Sequence, residues 1–142
     1  MTRVYVAGSS REMERAESAM TLLRSHGVEV AYDWCAAMRR DGPDSEMLRP
    51  ALVAGLRTAL AAVRRSEVLW LLDPEQPTTG AWCELGYAAG LGTVEIIVSG
   101  PHSPPPWAHA VNPSRSFALD VLAGEYCIER KLLPFPYFPV RP

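Results

Sequence analysis

The chain has 142 residues, 48% hydrophobic and 21% charged, and a formal net charge of −2. This is ordinary globular composition, long enough for one domain with a real core. The charge argues against duplex nucleic acid or an anionic membrane surface as partner, and no apolar run approaches the roughly 20 residues that span a bilayer.

Val4 to Ala7, a short β-branched and aromatic run near the start of the sequence, predicts the first strand, and a secretory leader is not expected. Gly8-Ser9-Ser10 ends that strand, and Ser10 is the expected N-cap of a helix over Glu12 to Ser25. Met13, Ala16, Met20, Leu22 and Leu23 form its apolar stripe, and His26-Gly27 stops it. Val28 to Tyr32 predicts the second strand. Asp33 to Pro50 reads as irregular and polar, with a short helix at Ser45 to Leu48. Pro50 suits the first turn of the next helix, Ala51 to Val63. Glu67 to Leu72 predicts a third strand and Gly80 to Leu91 a helix closed by Gly92. Val94 to Val98 predicts a fourth strand, Phe117 to Leu119 a short fifth, and Val121 to Tyr126 a last helical turn or two. Many of the 13 prolines fall after residue 100. The expected organisation is a single domain over 1–142, with a regular core at 3–98 and a proline-rich segment at 99–142.

Strands alternating with helices imply right-handed crossovers and a parallel sheet covered on both faces. The expected fold is therefore α/β, a flavodoxin-like three-layer sandwich with four or five parallel strands in the order 2-1-3-4-5. Ligands of such sheets bind beyond the carboxyl ends of the strands, at the switch point between the first and third. That rule brings the Gly8 to Arg11 loop and the Asp73 to Gly80 loop face to face, with Glu84 near the gap.

Glu84 lies one turn into a helix of small and apolar residues. A helix start favours its ionised form unless burial outweighs the dipole. An ionised carboxylate there suits attack on a sugar C1′; a capping or salt-bridging glutamate is the bland reading. Tyr5, on the neighbouring strand, is placed to donate its hydroxyl to Glu84 or to pack as an ordinary strand tyrosine. Gly8, Ser9, Ser10 and Arg11 form a turn into a helix N-terminus that favours an anion such as phosphate. Trp34 is placed to stack on a base or to pack on the core, and Asp33 to take a ribose hydroxyl. Asp73, Thr79 and Gly80 lie on the same side as candidate ligand contacts, although Asp73-Pro74 is equally a plain turn. Gly86 and Gly90 are expected to permit close helix–sheet contact. No histidine pairs with Cys83. His102 and His109 lack zinc spacing, so neither metal nor cofactor is expected. Cys35, Cys83 and Cys127, with no CxxC spacing, are expected to be free thiols in a cytoplasmic protein.

Val4-Tyr5-Val6-Ala7-Gly8-Ser9-Ser10-Arg11 and Gly80-Ala81-Trp82-Cys83-Glu84-Leu85-Gly86-Tyr87-Ala88 together carry a resemblance, which extends from Arg3 to about Val98. The chain resembles the nucleoside 2-deoxyribosyltransferase-like superfamily, which includes 2′-deoxynucleoside 5′-monophosphate N-glycosidases. The resemblance implies cleavage or transfer at the N-glycosidic bond of a nucleoside or nucleotide. It makes Glu84 the nucleophile and Tyr5 its orienting residue. Gly8, Ser9 and Arg11 would hold sugar or 5′-phosphate, Thr79 and Gly80 would touch the ligand, and Asn112 and Ser114 are candidates from the C-terminal region. It also implies a homodimer or larger homo-oligomer, in keeping with the apolar stretch Leu132 to Val140. One departure stands out: active relatives carry an aspartate in the helix before the third strand, and residues 51–62 here contain no acid. Asp33 or Asp73 is the available replacement. The alternatives are an inactive nucleotide-sensing module of the same fold, a hydrolase of NAD resembling TIR-type enzymes, or an interaction protein working through its tail.

Overall fold

Two-sided burial of the strands sets the architecture. In the computed structural model, which describes residues 2–41, 49–99 and 116–117, β1 (Arg3–Ala7), β2 (Glu29–Val30), β3 (Val68–Leu72), β4 (Glu95–Ser99) and β5 (Ser116–Phe117) form one sheet. Its order is β2-β1-β3-β4-β5 and every pairing is parallel. This is the expected flavodoxin-like order. All five residues of β3 and of β4 are buried, as parallel strands covered on both faces require.

Successive side chains point to opposite faces, so the sheet separates two cores. Val4, Val6, Val68, Trp70, Leu72 and Ile97 meet Ala16, Ala19, Met20 and Leu23 of α1 (Met13–Ser25). Tyr5, Ala7, Leu69, Leu71, Ile96 and Val98 meet Ala59, Ala62 and Val63 of α3 (Arg49–Arg65) and Ala81, Leu85 and Ala88 of α4 (Gly80–Leu91). Tyr5 thereby faces α4, and its neighbours Val4 and Val6 face α1. The register sets Tyr5 beside Leu69, Ala7 beside Leu71 and Leu72 beside Ser99.

Sequence-based boundaries shift at several ends. Residues 10–12 form a 3-10 turn ahead of α1, and the capping oxygen is that of Ser9, not Ser10: Ser9 Oγ accepts from the Arg11 N–H at 3.2 Å. The stretch read as irregular contains α2 (Trp34–Asp41). Its start was legible in Asp33, whose Oδ1 accepts the Ala36 N–H at 2.9 Å and so satisfies a donor that a helix start leaves unpaired. β2 is shorter than Val28 to Tyr32, and β5 (Ser116–Phe117) begins one residue before the anticipated Phe117, with Ala118 and Leu119 outside the described residues. The helices anticipated at Ser45 to Leu48 and Val121 to Tyr126 fall outside the described residues.

Gly27 and Gly92 take positive φ, 73° and 69°, and terminate α1 and α4 in the left-handed conformation that glycine adopts without strain. Gly86 and Gly90 correct an expectation. Both are exposed, and a Cβ built on either meets nothing within 4 Å, so neither mediates close helix–sheet packing. Glycine inside a helix costs roughly 0.5–1 kcal/mol against alanine. Gly86→Ala is therefore expected to stabilise the fold by about that amount, read as a higher midpoint in urea with an unchanged slope.

Among the described residues no helix is long and apolar enough to cross a membrane.

Candidate active site

β1 and α4 converge on one buried polar pair. Tyr5 is 1% exposed and Glu84 8% exposed, and the Tyr5 hydroxyl donates to Glu84 Oε2. Apolar packing holds both partners: Tyr5 lies among strand side chains, and Glu84 shares α4 with the buried Ala81, Leu85 and Ala88. Burial makes the carboxylate costly to ionise and pushes the Glu84 carboxyl up to about 7, with the Tyr5 hydrogen bond acting in the opposite direction. Burial thus outweighs the Tyr5 hydrogen bond. Tyr5 moves upward as well, through burial first and then the Glu84 charge, so the phenol stays a proton donor throughout the neutral range. The donor to Glu84 is a neutral hydroxyl, not a cation, which leaves the carboxylate able to react.

The other anticipated residues among those described follow the carboxyl ends of β1, β2 and β3, in different states. Ser9 is buried, Ser10 and Arg11 are exposed and Gly8 is half-buried. A Cβ on Gly8 would lie 3.7 Å from Leu72 Cβ and 4.0 Å from Trp34 Cζ2, so the turn sits where β1, β3 and α2 meet. Trp34 is the first residue of α2, and its indole N–H donates to the Val6 carbonyl at 2.8 Å. That bond locks the indole at the end of β1, against both cores. Asp33 has both oxygens engaged: Oδ1 caps α2, and Oδ2 pairs with Arg24 at 2.9 Å. Partial burial raises its pKa, but the Ala36 N–H and Arg24 outweigh that and hold the carboxyl below its ordinary value. A ribose hydroxyl would have to compete with those partners. Asp73 is buried at the end of β3, its N–H donating to the Ser99 carbonyl at 2.6 Å. Thr79 is the N-cap residue of α4 but makes no side-chain capping bond, and it and Gly80 are exposed. Asn112 and Ser114 fall outside the described residues.

Three features went unread in the sequence. Tyr32 lies just past β2, packs against the same core as Tyr5 and contributes to its electrostatics; the carboxyl-edge rule that selected Asp33 applied equally to it. Glu12 and Arg15 look like the polar side of a helix, yet both reach the loop ahead of α4. No local pattern encodes that reach.

Cys35 is buried and its thiol is pushed up to about 12 by burial, which removes it as a nucleophile. Cys83 is exposed. Among the described residues no group of three or more His, Cys, Asp or Glu is placed to hold a metal ion.

No protein-family model matches the chain, and no curated protein matches it. Solved structures do. The chain is similar to the CMP N-glycosidase BcmB of Clostridium botulinum, with a TM-score of 0.57 and 16% identity over 93% of this chain and 100% of that one. It is similar to a 2-deoxyribosyltransferase from Bacillus psychrosaccharolyticus, with a TM-score of 0.64 and 15% identity over 88% and 92%. It is also similar to a conserved protein from Enterococcus faecalis V583, with a TM-score of 0.60 and 16% identity over 92% and 99%. The fold is the one that the sequence resemblance implied.

Proposed function

We propose that the protein cleaves or exchanges the N-glycosidic bond of a nucleoside or nucleotide, with Glu84 as nucleophile and Tyr5 as the residue that orients it. The buried hydrogen bond from Tyr5, in the middle of β1, to Glu84, in the second turn of α4, carries this reading. Two neighbours of the same fold, by their names an N-glycosidase acting on CMP and a 2-deoxyribosyltransferase, support it, as does the resemblance of both motifs.

In the proposed reaction a Glu84 oxygen attacks C1′. The C1′–N bond breaks, its electron pair leaves with the base, and the base takes a proton from solvent or a nearby acid. Water then attacks C1′ of the glycosyl ester, releasing the sugar and restoring the carboxylate. A second base attacking instead gives transfer. Tyr5 holds one carboxylate oxygen, so the carboxylate presents a single geometry to the sugar. Exposed Arg11, beside the buried Ser9, is the proposed contact for a 5′-phosphate, and Trp34 is the proposed wall for the base.

A carboxyl that titrates at about 7 makes activity depend on pH in the neutral range. The attacking form is the ionised one, so kcat/KM is expected to rise with pH through about 7 and then level. Tyr5→Phe removes the interaction that lowers the Glu84 pKa, so the rising limb should move to more alkaline pH. At pH 7 the rate should fall by roughly 10- to 100-fold, the scale of a hydrogen bond to a charged group. An unshifted limb in Tyr5→Phe would show that the phenol does not tune the nucleophile.

The test of the reaction itself is release of free base from a panel of nucleosides, nucleoside monophosphates and NAD, followed by chromatography. The buried face of α3 offers Ala59, Ala62 and Val63 and no acid, which favours a second reading, a nucleotide-binding module without turnover. Calorimetric binding of a panel member with no base released would support that reading over the first. Self-association as a homodimer belongs to the proposal and rests on the apolar Leu132 to Val140 stretch.

A further inference from the structure

Glu12 and Arg15 stand three residues apart at the start of α1, on the face of the sheet opposite Glu84, and the chemistry above uses neither. Arg15 is half-buried. Its Nη1 donates to the Asp73 carbonyl at 2.7 Å and its Nη2 to the Ser99 carbonyl at 3.4 Å. These carbonyls stand at the carboxyl ends of neighbouring strands: Asp73 follows β3 and Ser99 ends β4. Ser99 is itself fixed, being fully buried, with its hydroxyl accepting the Trp70 indole N–H at 2.8 Å. The Glu12 carboxylate accepts the Glu75 N–H with both oxygens, at 2.8 and 3.3 Å. The loop from Asp73 to Thr79 is therefore gripped at its first and third residues by side chains from one helix start.

The choice of residue types fits that grip. A guanidinium is a flat fork that spans two carbonyls, whereas an ammonium is a point charge. A backbone N–H bonded to a carboxylate is worth more than one bonded to water, because the acceptor is charged. A loop of seven residues between β3 and α4, exposed over Glu75 to Pro77, has no other need for a cation and an anion recruited from the start of α1.

We propose that Glu12 and Arg15 are positioning residues that hold the β3–α4 loop as a preformed rim for substrate, an inference that rests on the reading of Glu84 as the reacting group. Glu84 keeps its own place through the packing of Ala81, Leu85 and Ala88. Loss of the clamp should loosen the loop and weaken substrate binding, and it should leave the Glu84 titration unchanged.

The experiment compares Arg15→Met, Arg15→Lys and Glu12→Gln with the parent protein. Amide exchange over residues 75–80 of the unliganded protein, read by mass spectrometry, should accelerate by about tenfold or more in Arg15→Met, the scale of one charge-assisted hydrogen bond. Exchange in β1 and β3 should not change. Arg15→Lys should restore part of the protection. With a substrate from the panel, KM should rise about tenfold, with kcat and the pH limb unmoved. Unchanged loop exchange in a folded Arg15→Met, or a fall in kcat with a shifted limb, overturns the proposal. Should Arg15→Met fail to fold, Glu12→Gln decides through the same exchange window, where no acceleration counts against the clamp. If the parent protein releases no base, the glycosidic reading falls, and exchange still decides the clamp.

Discussion

Glu84→Gln is expected to reduce base release by roughly a thousandfold or more, on the order of 4 kcal/mol of transition-state stabilisation. The substitution is close to isosteric. The amide oxygen still accepts from Tyr5, and the buried neighbours Ala81, Leu85 and Ala88 keep their contacts. What disappears is the anionic oxygen that forms the bond to C1′. An amide oxygen is a far weaker nucleophile and gives no stable glycosyl ester, so the loss should appear in kcat with little change in KM. Single-turnover assays across pH 6–9 separate this from a simple pH shift. A variant that releases base at the parent rate removes Glu84 from the chemistry.

The same substitution should change stability in the opposite direction. The Glu84 carboxyl stands at about 7 in the folded protein against an ordinary 4.5, and the cause is burial of the charge. Between those values the unfolded chain has released its proton while the folded chain retains it. The unfolded state then binds fewer protons, so stability falls as pH rises. The contribution is fully present below pH 4.5 and is lost by the time pH has passed about 7. Its size is roughly 3 kcal/mol from the conversion of a pKa difference into free energy. Glu84→Gln carries no titrating group there. Its urea-unfolding free energy should lack this slope, and above pH 7 it should exceed that of the parent by a few kcal/mol. Parallel pH profiles for the two proteins would show that the buried carboxyl ionises at its ordinary value. Lower activity with higher stability is the expected signature of a charge retained for function at a cost to folding.

The course of the fold was legible because it rests on local chemistry. Val4 to Ala7 and Val68 to Leu72 are too short and too uniformly apolar to be anything but strands buried on both faces. Gly27 and Gly92 mark helix ends that only the left-handed conformation closes. The spacing of those elements then left the 2-1-3-4-5 order as the natural parallel arrangement, and the order in turn placed Tyr5 beside the strand that leads to Glu84. α2 was missed because it is only eight residues long and its main start signal is a single capping aspartate, Asp33, which also looks like a ligand contact.

Element order and sheet direction follow from residue patterns a few positions long, where side-chain period and turn chemistry act on neighbouring residues. The ionisation of Glu84, the locking of Trp34 onto the Val6 carbonyl, and the grip of Glu12 and Arg15 on the loop at Asp73 do not. Each depends on how much water is excluded, or on which atoms from residues tens of positions apart come within 3 Å or so of one another. Only the packed chain decides those quantities, because desolvation and hydrogen-bond geometry belong to the assembled surroundings and not to any residue within them.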